Sequence, residues 1–120
     1  MSRYVDGFVL CVPKKKVQAY RSMAQKAGKI WRDLGALEFR ECVGDDFNMK
    51  WGVPFPRMAK AKSGETVFFS WIVYKSRAHR DSVNAKVMKD PRMVKIMNST
   101  AMPFDLKRMA YGGFKVLVDL

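Results

Sequence analysis

The stretch "SWIVYKSRAHRD", Ser70 to Asp81, holds the only histidine of the chain. An imidazole titrating at about 6.5 can take up and return a proton near neutral pH, so His79 is the first candidate for acid–base chemistry. Beside it, Arg77 together with backbone N–H groups at a helix start would suit an anion. Arg77 and Asp81, four apart, would otherwise make a surface pair worth at most about 0.5 kcal/mol. Asp6 is the second candidate, a carboxylate within the apolar stretch "YVDGFVLCVP". Trp71 and Tyr74 have the bulk to line a cleft, although their alternation along a strand suits core or dimer packing better. Glu38 and Glu41 fall on a different strand from Asp6, and spacing alone does not make them a catalytic carboxylate pair. There is no phosphate loop, no GxSxG and no metal-ligand constellation. The two cysteines, Cys11 and Cys42, lack CxxC spacing and a neighbouring histidine. They read as reduced, partly buried thiols, and neither metal nor cofactor is indicated.

These residues need elements to position them. Tyr4–Pro13 reads as a strand apolar on both faces, hence central. From Lys14 the period changes: Val17, Tyr20, Ala24, Ala27, Trp31 and Leu34 form one helical stripe, and Gly35 ends it. Lys14, Gln18, Arg21, Gln25, Lys29 and Arg32 lie away from that stripe. Ala36–Val43 alternates, with Leu37 and Phe39 inward and Glu38 and Arg40 opposite, as an edge strand does. Gly44–Gly64 reads as a long excursion of the lid or binding-loop kind. Its "VPFPR" argues against a helix across the prolines. Thr66–Lys75 is the strongest strand, again apolar on both faces. Ser76 is a candidate N-cap for a helix to about Lys89 that carries His79, Val83 and Val87 on one face. His79 is then the third residue of that helix, and packing against the sheet explains it more simply than a pocket does. Asp90-Pro91 restarts a short helix. "MPFDLKRMAYGG" reads as an irregular connection and Phe114–Leu120 as the last strand.

Composition sets outer bounds. With 120 residues and 48% hydrophobic content, the chain can bury the core of one domain. The longest apolar run, Val67–Tyr74, is eight residues, far short of the roughly 20 a membrane helix needs. "MSRYVDGF" lacks the regions of a signal peptide, so the expected location is the cytoplasm. The formal net charge is +12, which attracts polyanions but says nothing of fold. Lys14, Lys15, Lys16 and Arg21 are the candidate polyanion contacts, with Lys50, Trp51, Phe55 and Arg57 in the loop as possible base-stacking partners. No RNP, KH or helix-turn-helix signature accompanies them.

The order strand, helix, strand, strand, helix, strand is the ferredoxin-like βαββαβ arrangement, an α+β fold with a four-stranded antiparallel sheet. Its first and third strands are central, and those are the two with apolar faces on both sides. Two helices cover one sheet face only. The other would expose either Val67, Phe69, Trp71 and Val73 or Phe68, Ile72 and Tyr74. At about 25 cal/mol per Å² of buried apolar surface, such a patch rarely stays wet. The expectation is a homodimer packed sheet against sheet.

"YVDGFVLCVPKKK", "YRSMAQKAGKIWRDLGALEFRECVGDD", "FFSWIVYKSRAHRDSVNAKVMKDPR" and "MPFDLKRMAYGGFKVLVD" span nearly the whole chain. In order and spacing they resemble the DUF1428 family. The resemblance implies a dimeric α/β barrel and no established activity. Its superfamily includes cofactor-independent oxygenases and heme-degrading enzymes, some using a His or Trp near the cleft. The loop "DFNMKWGVPFPRMAKAK" departs from the resemblance by being more basic and more apolar. The leading functional reading is therefore a small-molecule binding protein or enzyme with a cleft between sheet and helices. His79 and Asp6 are its catalytic candidates, and Trp71, Tyr111 and Arg77 its ligand contacts. The alternatives are an RNA or polyanion module, or a structural dimer without a cleft.

Overall fold

In chain order the elements of the computed structural model are β1 (Tyr4–Pro13), a 3-10 turn (Lys14–Lys16), α1 (Val17–Asp33), β2 (Glu38–Val43) and α2 (Phe55–Met58). There follow β3 (Glu65–Tyr74), α3 (Arg77–Lys89), α4 (Pro91–Ser99), a second 3-10 turn (Leu106–Arg108) and β4 (Ala110–Lys115). The structure describes residues 2–99 and 102–120. All strand pairs are antiparallel, in the order β2-β3-β1-β4. This is the ferredoxin-like α+β fold, with β1 and β3 central as their two apolar faces require.

Register decides which residues meet which layer. Asp6 pairs with Ile72, Phe8 with Ser70 and Leu10 with Phe68, so these side chains share the face covered by the helices. On β2, Phe39 and Glu41 join that face opposite Ile72 and Ser70. Val5, Val9, Cys11, Phe69, Trp71 and Val73 turn to the other face, which among the described residues no helix longer than one turn covers. Under the helices the core forms two clusters. One gathers Ile30, Ile72, Tyr74, Val83 and Val87; the other gathers Leu10, Val12, Tyr20, Ala24 and Phe68.

The helices begin and end for local reasons. Ser76 caps α3, its Oγ accepting the His79 N–H at 3.1 Å. Asp90 precedes α4, accepting the Arg92 N–H at 2.9 Å, with Pro91 first in the helix. Gly35 leaves α1 at a φ of 121°, a backbone only glycine adopts freely. At Gly28 the need is space: a Cβ there would lie 2.5 Å from the Phe39 ring. That close approach seats α1 on β2.

Two sequence expectations change. The "VPFPR" segment does contain one helical turn, Phe55–Met58, because Pro54 and Pro56 fall before and in its first turn, where no intrahelical N–H is needed. The final strand is Ala110–Lys115 rather than Phe114–Leu120. Gly112 and Gly113, which read as the end of an irregular connection, lie inside the strand, where a Cβ on Gly113 would meet the Tyr4 hydroxyl at 2.4 Å. A glycine that makes room for a neighbour's ring looks in sequence like a glycine that bends the chain. The Gly44–Gly64 segment folds over one end of the open sheet face. Phe55 sets its ring 6.0 Å from Phe69, and Phe69 in turn contacts Trp71.

Candidate functional site

Where the two core clusters meet, a cavity of about 130 Å³ lies between α1 and the sheet. Phe8, Leu10, Trp31 and Ile72 give it apolar walls, and Phe104 and Met109 close it from the C-terminal segment. That segment is anchored by Arg108, which donates to both Glu65 carboxylate oxygens at 2.8 and 2.9 Å. The guanidinium holds the Glu65 carboxyl down at about 2. Outside the cavity, between α1 and the β2 edge, runs a groove of about 740 Å³. Cavity and groove share Tyr20, Ala24, Phe39 and Glu41.

Glu41 and Tyr20 are therefore the polar groups at the junction. The Tyr20 hydroxyl donates to Glu41 Oε1 at 2.8 Å. Glu41 stands opposite Ser70 in the sheet register, which places both on the helix-covered face. Burial pushes the Glu41 carboxyl above the ordinary carboxylate range, against hydrogen bonds from Tyr20 and Ser70 that pull it down. Burial and the neighbouring Glu41 charge push the Tyr20 hydroxyl well above the usual tyrosine value. The pair thus sets a carboxyl that burial raises beside a phenol that donates to it. Both groups also line the apolar chamber, where burial shifts them from their ordinary values.

The raised Glu41 value fixes a pH dependence. Its contribution to stability is full below the unfolded value of 4.5 and is lost as pH rises through the higher folded value. Glu41→Gln lacks that loss. Urea denaturation from pH 4 to 8 should show the variant gaining on the wild type as pH rises, with the advantage gone at the acid end.

A second polar group lies deeper. Asp6 is only 4% exposed. Its Oδ1 accepts from Arg80 Nη1 at 3.0 Å and its Oδ2 from Asn84 Nδ2 at 3.3 Å. Asn84 Oδ1 in turn accepts from the Tyr74 hydroxyl at 2.9 Å and from Trp31 Nε1 at 3.0 Å. The Arg80 guanidinium also sits 4.9 Å over the Tyr4 ring. Arg80 Nε lies 2.9 Å from Asp81 Oδ1, but its N–H is not aimed at that oxygen and has no hydrogen-bond partner. Through Asn84 this network fixes the indole of Trp31, a wall of the cavity.

The structure does not bring Asp6, Trp71, His79 and Tyr111 to one cleft, and that grouping is corrected. Trp71 turns to the opposite sheet face. His79 lines neither cavity nor groove. Its Nδ1 accepts the Lys75 N–H at 3.0 Å, and its ring meets Tyr74 edge-on at 6.1 Å. It finishes the β3–α3 turn. Tyr111 is nearer the chamber: it is exposed and stacks at 5.9 Å on Phe8, itself a cavity wall. Arg77 is exposed at the start of α3, and the ion pair to Asp81 is made by Arg80 instead. Lys14, Lys15 and Lys16 are exposed before α1, and of the four polyanion candidates only Arg21 lines the groove. Among the described residues no three His, Cys, Asp or Glu side chains gather as metal ligands. Among them, too, no helix is long and apolar enough to cross a membrane.

The comparisons with known proteins follow the same lines. The DUF1428 family, a protein family of unknown function, matches residues 3–106. The uncharacterized protein YbaA of Escherichia coli K12 is 47% identical over 117 residues, 98% of either chain. YbaA of Shigella flexneri matches equally. Among solved structures, a Nitrosomonas europaea protein assigned to the antibiotic biosynthesis monooxygenases superposes with a TM-score of 0.63 at 14% identity, covering 97% of this chain and 91% of the other. A dimeric ferredoxin-like protein from an uncultured marine organism gives 0.60 at 12% identity over the full length of both. A NIPSNAP family protein of unknown function from Agrobacterium tumefaciens gives 0.58 at 11%, covering 96% and 88%. At such identities the structural matches speak for the fold alone. The sequence matches speak for descent: the chain belongs to the DUF1428 family.

Proposed function

We propose that this protein is a homodimer that binds a small molecule in the cleft between α1 and the sheet, with Glu41 and Tyr20 as its proton-handling pair. The observation that carries the reading is an apolar chamber and a larger groove that share Tyr20, Ala24, Phe39 and Glu41, with a part-buried carboxyl–phenol pair among those shared residues. A groove of this size suits a small ligand. Fold neighbours described as a monooxygenase and as a dimeric protein support the reading by analogy. The dimer is supported by the open sheet face, where Phe69 is 45% and Phe114 63% exposed.

The test is a fluorescence titration with N-phenyl-1-naphthylamine, an uncharged apolar probe. We expect saturable binding that Gln25→Trp, an exposed change on the groove wall, weakens at least about tenfold by occlusion. Binding indifferent to Gln25→Trp would overturn the cleft reading.

The second reading, a polyanion module, is favoured by three exposed lysines ahead of α1 with no acidic residue in its first turn. It predicts binding to single-stranded RNA that falls with salt at a slope of about −0.7 per phosphate contacted. Lys14→Glu, Lys15→Glu and Lys16→Glu together should abolish it; unchanged binding by the triple variant rejects it.

A further inference from the structure

We infer that the ligand of the groove is a small organic anion with an apolar body, its charged head held by Arg21, Lys29 and Arg32 and its body laid on Phe39, Phe68 and Val43. The inference rests on the cleft reading and adds the class of ligand. Gln18, Arg21, Gln25, Lys29 and Arg32 recur at three- and four-residue steps along α1, and all five line the groove. They form one wall, three of them cationic. The floor is apolar: Phe39, Phe68 and Val43, with Gly28 where α1 comes closest to β2. Among the described residues the ion pairs leave Arg21 and Lys29 out. Arg32 donates to the Leu37 carbonyl, which ties it across the end of α1.

Polarity is graded along the site. The cations line the outer groove only, whereas the one acidic lining residue, Glu41, sits at the inner junction, half-buried and hydrogen-bonded to Tyr20. An anionic head therefore meets cations at the mouth, and the apolar end lies toward Glu41 and Tyr20, which also line the inner chamber of about 130 Å³. A purely apolar ligand would leave the cationic wall without purpose. A polyanion would find cations on one wall only, facing an apolar floor and one carboxyl.

Two probes that differ in one charge test this. 1-Anilinonaphthalene-8-sulfonate carries the anion, and N-phenyl-1-naphthylamine is the same framework without it. The variant is Arg21→Glu with Lys29→Glu, two exposed positions whose change leaves the core alone. The expected result is at least about a tenfold loss of affinity for the sulfonate and less than twofold change for the neutral probe. Gln25→Trp should weaken both. If both probes bind the charge-reversed protein as they bind the wild type, yet respond to Gln25→Trp, the anion inference is wrong and the cleft stands. If neither responds to Gln25→Trp, the cleft reading fails and the inference with it.

Discussion

Asp6→Ala should cost about 3–5 kcal/mol of stability, the usual consequence of removing one partner from a buried ion pair. That is a large share of the roughly 5–15 kcal/mol that holds a domain together. The Arg80 side chain is 20% exposed and its Nε already lacks a hydrogen-bond partner. Without Asp6 its Nη1 would lose its carboxylate, and Asn84 Nδ2 would lose its acceptor. Trp31 would feel the change, because Asn84 orients its indole. Asp6→Asn keeps the shape and should cost less. Asp6→Leu with Arg80→Met removes both charges and should recover much of the loss, since an apolar pair of similar volume often replaces a buried ion pair without penalty. Urea denaturation of the four proteins makes the comparison. An Asp6→Ala protein within about 1 kcal/mol of the wild type would show that the pair is not buried in solution.

Phe69→Asp should convert a dimer into a folded monomer at micromolar concentration. Phe69 lies on the open face of central β3, between the Phe55 ring and Trp71. In a two-fold assembly the new carboxylate appears on both protomers, and like charges placed in a closed interface cost several kcal/mol. A loss of about 4 kcal/mol is roughly a thousandfold in dissociation constant. Phe114→Asp, further out on the same face and already 63% exposed, should act in the same direction with less risk to the fold. Sedimentation velocity with circular dichroism reads both outcomes. A wild type that sediments as a monomer would remove the dimer from the account.

The fold was legible because alternation and helical period agree with topology. Two strands apolar on both faces had to be central, and Val17, Tyr20 and Ala24 had to face the sheet. The site was less legible, for a reason of parity. Whether Trp71 or Ile72 faces the helices depends on the pairing register, which no local pattern in an all-apolar strand reveals. Glu41 could have been found: it follows Phe39 by two on a strand whose inward face was already assigned. Its spacing to Asp6, on a strand that is not its neighbour, carries no such signal. The partners of Asp6 lie 74 and 78 residues away along the chain, beyond any motif. His79 drew attention as the lone histidine, yet its ring answers to one backbone N–H at a turn.

The most direct measurement is a crystal structure of protein purified gently from cells, read for density between α1 and β2. The account predicts an ordered small molecule lying on Phe39 and Phe68, with one end beside Glu41 and Tyr20 and a charged end toward Arg21 and Lys29. A groove filled by its own side chains, with Glu41 shut away from solvent and from any ligand, would contradict it.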